Sequence, residues 1–303
     1  MILGIDIGGT TSKLGLVHDG KVLARARINT LGHADEHAFA DALADAGHRL
    51  VQADDHRPLR AVGIGAPNAN QLTGIIEMAP NLPWKNDVPL ARMMADRLNV
   101  PAVLGNDANA AALGEWRYGA GRGIDDLLVV TLGTGVGSGF IVNGKLVLGS
   151  AGNAGELGHM ILVPDGRQCT CGRRGCVEAY VSIRGMRETY AELAGSVAGI
   201  LSEEGVLPIA KAASDGDANA VRTFDESARW LAIALANAVC ATGPKRIVLF
   251  GGIMRSGDLL MKPLQEHFGK VLLNIYQGRV DLTVSALEED DAALLGAAAL
   301  GEQ

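Results

Sequence analysis

Short apolar runs separated by turn residues open the chain: "MILGIDI", "KLGLVH" and "KVLARARIN" each alternate as half-buried strands do. Asp19-Gly20 between the second and third runs is a strong hairpin signal. The period then changes. An Ala-rich segment at about 35–52 reads as a helix, and "RAVGIGAP" as a buried strand stopped by Pro67. "PLARMMADRLN" reads as a helix, "PAVLGND" as a strand, and "ANAAALGEWRYG" as a helix ended by Gly119. Strands alternating with helices indicate an α/β sheet protein.

The opening pattern returns near residue 127. "ILGIDIGGTTSKLGLVHDGKVL" can be laid on "LVVTLGTGVGSGFIVNGKLVL", which sets Asp6 on Thr131 and Gly8 on Gly133. Gly20-Lys21 then falls beside Gly144-Lys145. Both copies read strand, Gly/Thr-rich turn, strand, Asx-Gly-Lys turn, strand. The plain alternative is that any two β-meanders look alike. The functional reading is a duplicated fold whose two Gly/Thr turns face each other across a cleft and offer backbone N–H groups to phosphate. Farther on, "AVRTFDESARWLAIALANAVCATG" predicts a helix ending at Gly243-Pro244, with Cys240 a core residue. "RIVLFGG" reads as a buried strand, and "EEDDAALLGAAAL" as a closing helix whose small residues suit close packing.

Length and composition narrow the class. At 303 residues two domains are expected, and 48% hydrophobic with 20% charged residues describes a globular chain. A net charge of −7 without a Lys/Arg-rich block argues against nucleic acid as a partner. No apolar run is long enough to span a membrane, and the first residues lack a secretory pattern. A cytoplasmic protein with reduced thiols is expected.

Two carboxylates stand out. Asp6 ends a predicted strand directly before Gly8-Gly9-Thr10-Thr11. It is either a turn residue or a group beside a phosphate turn that organises hydrated Mg²⁺. Asp107, between a strand and a helix, serves as an N-cap or as a base accepting the proton of a hydroxyl that attacks phosphorus. Asn106, Asp107 and Asn109 together exceed what one cap needs.

Three of four cysteines lie within eight positions, as Cys169-x-Cys171-x₄-Cys176, with His159 ten residues earlier. Three thiolates and an imidazole form the closed tetrahedral set of a structural zinc site. The C-x-x-C spacing of a redox pair is absent. Free core thiols are the alternative for the cysteines, and a satisfied core histidine for His159.

These pieces resemble the ROK family (repressor, open reading frame, kinase). The motifs are "DIGGT" at 6–10, "GIGAP" at 63–67, "APNLPW" at 79–84 and "NDANAAALGE" at 106–115, then "LGTGVGSG" at 132–139, "GNAGELGH" at 152–159 and "CTCGRRGCVEAY" at 169–180. The resemblance implies the actin-like ATPase (ribonuclease H-like) fold, with two duplicated α/β domains flanking a cleft. Residues 1–118, joined by the C-terminal helix 288–303, would form one domain, and 119–287, with a zinc-binding loop, the other. It implies an ATP- and Mg²⁺-dependent hexose kinase acting at the 6-hydroxyl, with glucose expected and N-acetylglucosamine, N-acetylmannosamine or fructose as alternatives. Asp107 would be the base, and Asn81, Asn106, Glu156, His159 and Glu178 would bind sugar hydroxyls. Gly8, Gly9, Thr10, Thr11, Gly133, Thr134 and Gly135 would line the phosphates, with Gly251 and Gly252 by the adenosine. His159 would serve zinc and sugar through its two ring nitrogens, so that zinc fixes the loop bearing Glu156 and Glu178. A homodimer or homotetramer is expected.

Two positions depart from the family pattern. Thr11 stands where many relatives have Lys, the nearest lysine being Lys13, and Asn68 stands where glycine is common. A sugar-sensing regulator of the same family needs a helix-turn-helix ahead of the first strand. That strand starts at residue 2, which favours the enzyme.

Overall fold

The computed structural model describes residues 1–54, 57–78, 82–195 and 205–303. β1 (Ile2–Ile7), β2 (Thr11–His18) and β3 (Lys21–Asn29) form an antiparallel meander. Alternation along β3 leaves every second residue exposed, as suits a sheet edge. α1 (Glu36–Gln52) begins at the Asp35 cap, whose carboxylate accepts the Ala38 N–H at 2.8 Å, and buries Phe39, Leu43, Ala46 and Leu50. β4 (Ala61–Ala66), apolar and buried throughout, runs parallel to β1 in the sheet's interior. A small hairpin, β5 (Ala69–Asn70) and β6 (Ile75–Ile76), and α2 (Leu90–Leu98) lead to β7 (Ala102–Asn106). α3 (Asp107–Tyr118) follows at once. The sheet order is β3-β2-β1-β4-β7.

The second half repeats this plan. β8 (Leu127–Leu132), β9 (Val136–Val142) and β10 (Lys145–Leu146) form its meander. A long insertion follows, containing α4 (Glu178–Val181), α5 (Ile183–Ala194), α6 (Leu207–Ser214) and α7 (Ala218–Thr242). β11 (Arg246–Phe250), α8 (Asp258–Val271), β12 (Asp281–Val284) and α9 (Glu289–Leu300) complete it. The order β10-β9-β8-β11-β12 matches the first sheet strand for strand. Asp19 and Gly20 have φ of 48° and 71°, and Asn143 and Gly144 have 51° and 69°. Both are therefore tight two-residue turns with positive φ, as the Asx-Gly pairs predict. Cys240 corrects an expectation. It is exposed, because α7 buries Leu231, Leu235, Ala238 and Val239 and position 240 falls on the opposite face.

Glycines let the two halves interlock. α3 leaves the first sheet and packs on β9 of the second, where a Cβ on Gly139 would come within 2.5 Å of the Ala112 Cβ. α9 leaves the second sheet and packs on the first, where a Cβ on Gly63 would lie 1.8 Å from the Ala297 carbonyl oxygen. The two helices meet at Gly114 and Gly296, where a Cβ on Gly114 would sit 2.8 Å from the Gly296 Cα. The small residues of the closing helix thus serve close helix–helix packing. No helix among the described residues is long and apolar enough to cross a membrane.

Candidate active site

A cavity of about 440 Å³ lies between the halves. The first half contributes Asn106 and Asp107. The second contributes the Gly133–Gly135 turn, Glu156, His159, Glu178 and Gly251-Gly252. A polar lobe of about 210 Å³ shares Asn68, Asn106, Ser138 and Glu156 with it and continues to Glu77, Asn109 and Asn153. Asp107 stands where β7 passes into α3, at a strand's C-terminal end, the usual ligand position of an α/β sheet. The Asn106 Oδ1 accepts the Ala108 N–H at 2.9 Å, and an Asp107 oxygen accepts the same N–H at 2.8 Å. Asn106 caps the helix, which leaves the second Asp107 oxygen for the cleft.

Asp107 touches the solvent of the cleft yet is recessed in protein. Loss of hydration raises its pKa, opposed by the Ala108 N–H. Asp6 has a pKa pushed up to about 6, by burial first and by the charge of Asp107 second. Lys13, opposite Asp6 in β2, works the other way. The cation beside Asp6 is thus Lys13, two residues beyond Thr11. Two neighbouring carboxylates that resist joint ionisation suit a divalent cation, and this donor chemistry fits hydrated Mg²⁺.

The glycine turns are more occupied than the sequence suggests. The Gly8 N–H donates to the Thr11 carbonyl at 3.1 Å and the Gly133 N–H to the Gly135 carbonyl at 3.0 Å, so each serves its own turn. Neither cavity is lined by Asp6, Gly8, Gly9, Thr10 or Thr11, whereas Gly133, Thr134 and Gly135 line the larger one. Asn81 lies outside the described residues.

His159, Cys169, Cys171 and Cys176 come together, with all four donor atoms within 4.8 Å of one another. The His159 Nδ1 is 3.7 Å from the Cys169 Sγ, and the Cys171 and Cys176 sulfurs are 3.7 Å apart. Zinc–sulfur bonds of about 2.3 Å at tetrahedral angles would separate neighbouring sulfurs by about 3.8 Å. The set therefore fits a zinc ion. Burial opposes ionisation of Cys171, but hydrogen bonds from Arg173, Cys169 and Cys176 outweigh it and bring the pKa down to about 6. Burial, with the Cys169 and Cys171 sulfurs, pushes Cys176 up to about 12.

A match to the ROK family model spans residues 2–303. A glucokinase of Thermotoga maritima is 36% identical over 99% of this chain and 96% of its own length. A ROK hexokinase from Thermus thermophilus superimposes with a TM-score of 0.86 at 32% identity, covering 99% of this chain and 97% of that one. This chain belongs to the ROK family. A third ROK protein, a glucokinase from Streptomyces griseus in complex with glucose and AMPPNP, has a TM-score of 0.80 and 35% identity, covering 100% of this chain and 99% of that one. The fold is the actin-like ATPase fold that the motifs imply.

Within this ROK protein several residues in or beside the motifs make contacts that the linear pattern does not reveal. Thr170, between two cysteines, donates to a Glu178 oxygen at 2.7 Å, while the other oxygen accepts the Val136 N–H at 3.1 Å. Glu178 therefore ties the cysteine loop to the Gly133–Val136 turn. Ser138 holds the Glu156 loop by donating to the Gly155 carbonyl and accepting the Leu157 N–H at 3.2 Å. Asn68 has φ of 51°, which explains why glycine is common there and why Asn is the tolerated substitute. Glu115, the last residue of "NDANAAALGE", is not in the site. It is buried, accepting the Ala120 N–H at 2.8 Å and the Ser285 hydroxyl.

Proposed function

We propose that this ROK protein transfers the γ-phosphoryl group of ATP to the 6-hydroxyl of a hexose, with glucose as the preferred sugar. The observation that carries this reading is Asp107 on the wall of one cavity together with Asn106, Glu156, His159, Glu178 and the Gly133–Gly135 turn. In this reading Asp107 accepts the proton of the 6-hydroxyl as its oxygen attacks the γ-phosphorus. The bond to the bridging oxygen breaks, and ADP leaves. The amides of Gly9, Thr10, Thr134 and Gly135 are the phosphate ligands we assign, with Gly251 and Gly252 beside the adenosine. When bound, Mg²⁺ neutralises phosphate charge, and Asp6 is the carboxylate that would hold its water shell.

His159, Cys169, Cys171 and Cys176 would hold the zinc, which supplies rigidity rather than chemistry. The tie from Thr170 to Glu178 and the cavity-facing edge of His159 support this role. We assign residues 1–118 with 288–303 to one domain and 119–287 to the other, the interlocked α3 and α9 being their joint. A cytoplasmic setting suits the free cysteines. Exposed Val271, Leu273 and Ile275 at and after the end of α8 support self-association as a dimer or tetramer, which sedimentation of the purified protein tests. A coupled assay with ATP, Mg²⁺ and a panel of glucose, fructose, N-acetylglucosamine and N-acetylmannosamine tests the activity. ADP formation that no sugar stimulates would sink it.

A further inference from the structure

The two halves meet at the α3–α9 joint and again at the rim of the cleft, where the Asn70 side chain reaches across. Asn70, on the β5–β6 hairpin of the first half, is only 4% exposed. One Nδ2 hydrogen goes to the Glu77 Oε1 at 2.8 Å, within the hairpin. The other goes to the Ala151 carbonyl of the second half at 2.8 Å, across 81 residues of sequence. Its Oδ1 accepts the Leu72 N–H at 3.0 Å. Both donors and one acceptor site of the amide are thus filled, so the side chain has a single orientation.

The opposing surface is shaped to receive it. Gly152 has φ of 83°, and a Cβ there would fall 2.1 Å from the Asn70 Oδ1 and 2.7 Å from its Cγ. Glycine is required for conformation and for space at once. What the contact joins gives it meaning. The hairpin side carries Asn68 and Glu77, and the loop side runs within four residues into Glu156; all three line the smaller lobe. Buried in that lobe is the Asn109 Oδ1, an acceptor without a partner among the described residues. A hydroxyl donor of a ligand would satisfy it.

We infer that Asn70 is a positioning residue: it latches the sugar end of the cleft, holding Asn68 and Glu77 over Glu156 before sugar arrives. This rests on the hexose-kinase reading of the same site. Opening of the cleft is then asymmetric, with the nucleotide end moving more freely than the latched rim.

Asn70→Ala leaves the Ala151 carbonyl and the Glu77 carboxylate short of a donor. Sugar KM should rise roughly 10–100-fold, with kcat and nucleotide KM changed less than about threefold. A merely structural role would instead lower the thermal midpoint without this split. A pair of variants separates the two halves of the contact. Asn70→Asp loses both donors and faces Glu77 with a like charge. Adding Glu77→Gln restores an amide–carboxylate bond inside the hairpin but gives Ala151 no donor. The double variant, measured against Glu77→Gln alone, should recover stability while its sugar KM stays high. A sugar KM returning to the Glu77→Gln value would overturn the latch, as would an Asn70→Ala sugar KM within threefold of wild type. Hydrogen exchange of residues 149–155 provides a readout independent of turnover. If no sugar is phosphorylated, faster exchange there in Asn70→Ala still upholds the latch while the kinase reading falls. Unchanged exchange sinks the latch alone.

Discussion

The two halves share a sheet order, a pair of Asx-Gly turns and a helix after each last strand, yet their chemistry is divided between them. At the end of β1 stands Asp6, while at the matched end of β8 stands Thr131. β7 runs into Asp107 and α3, whereas β12 runs towards α9 past Leu287. The first half thus keeps both acids. The second has instead a glycine turn that lines the cavity and, after β10, an insertion that brings Glu156, His159 and Glu178 to the same cavity. Packing diverges too. Gly4 and Gly63 lie under α9, but the corresponding Val129 and Val248 carry side chains packed with Ala110 and Leu113 of α3. Duplication preserved the frame, and the site arose from what each copy changed.

The largest effect should follow from removing the acid that only the first half has. Asp107→Asn keeps the shape and the Ala108 bond but cannot take a proton. We expect kcat to fall roughly 10²–10⁴-fold with sugar affinity retained. A variant retaining more than about a tenth of the wild-type kcat would remove Asp107 from the role of base.

Asp6 provides the next test, in stability as well as activity. Its pKa is about 6 in the folded protein against an unfolded value of 3.8, so the native state holds a proton that the unfolded chain has released between those values. Stability is therefore favoured below pH 3.8 and is lost as pH rises through about 6. At pH 8 Asp6→Asn should be more stable than wild type by at most about 3 kcal/mol. The difference should vanish near pH 4, while Mg²⁺-dependent activity is lost. Denaturant titrations at the two pH values measure this, and an equal difference at both would show that Asp6 carries no such strain.

Much of this division was legible in the sequence. The repeat, the paired turns, Asp107 and the cysteine spacing are local patterns whose physics is fixed within a few residues. What escaped was contact between side chains that no periodicity pairs, whether near or far along the chain. Thr170 on Glu178, Ser138 on the Glu156 loop and Asn70 on Ala151 join residues that nothing in a linear pattern pairs. Glu115 shows the same limit: it closes the motif that carries Asp107, yet its partner Ser285 lies 170 residues away. Cys240 showed that an apolar stripe on a helix predicts which face is buried but not that every cysteine lies on it.

The insertion is the second half's own acquisition, and Cys171→Ser tests what it does. Losing one soft ligand should release the zinc and loosen Glu178, whose two oxygens bridge Thr170 and the Val136 N–H. Sugar KM should rise about 10–100-fold. Nucleotide KM should rise less, through the Val136 end of the same carboxylate. The fold should persist because the core of the second half, although it takes in Leu157, Val177 and Tyr180 beside the loop, is built mainly from β8, β11, α7 and α8. Metal analysis should find about one zinc per chain in wild type and much less in the variant. Zinc-free wild-type protein with full activity would leave the cysteines as ordinary thiols.

The smallest effect concerns the feature the halves share most closely. Gly20 and Gly144 occupy the same position of the same turn with φ of 71° and 69°, so replacing either by Ala should cost about 1–2 kcal/mol from the left-handed backbone. Their surroundings differ. A Cβ on Gly144 would have nothing nearer than 3.6 Å, whereas on Gly20 it would sit 2.9 Å from the Tyr118 ring. That ring cannot move freely, because its hydroxyl donates to Glu302 at 2.6 Å. Gly20→Ala should therefore lower the thermal midpoint more than Gly144→Ala, by about 2–4 °C for each additional kcal/mol. Adding Tyr118→Ala to both variants should erase the difference. If the two glycines remain unequal without the ring, the asymmetry lies in the backbone of the turns rather than in what packs against them.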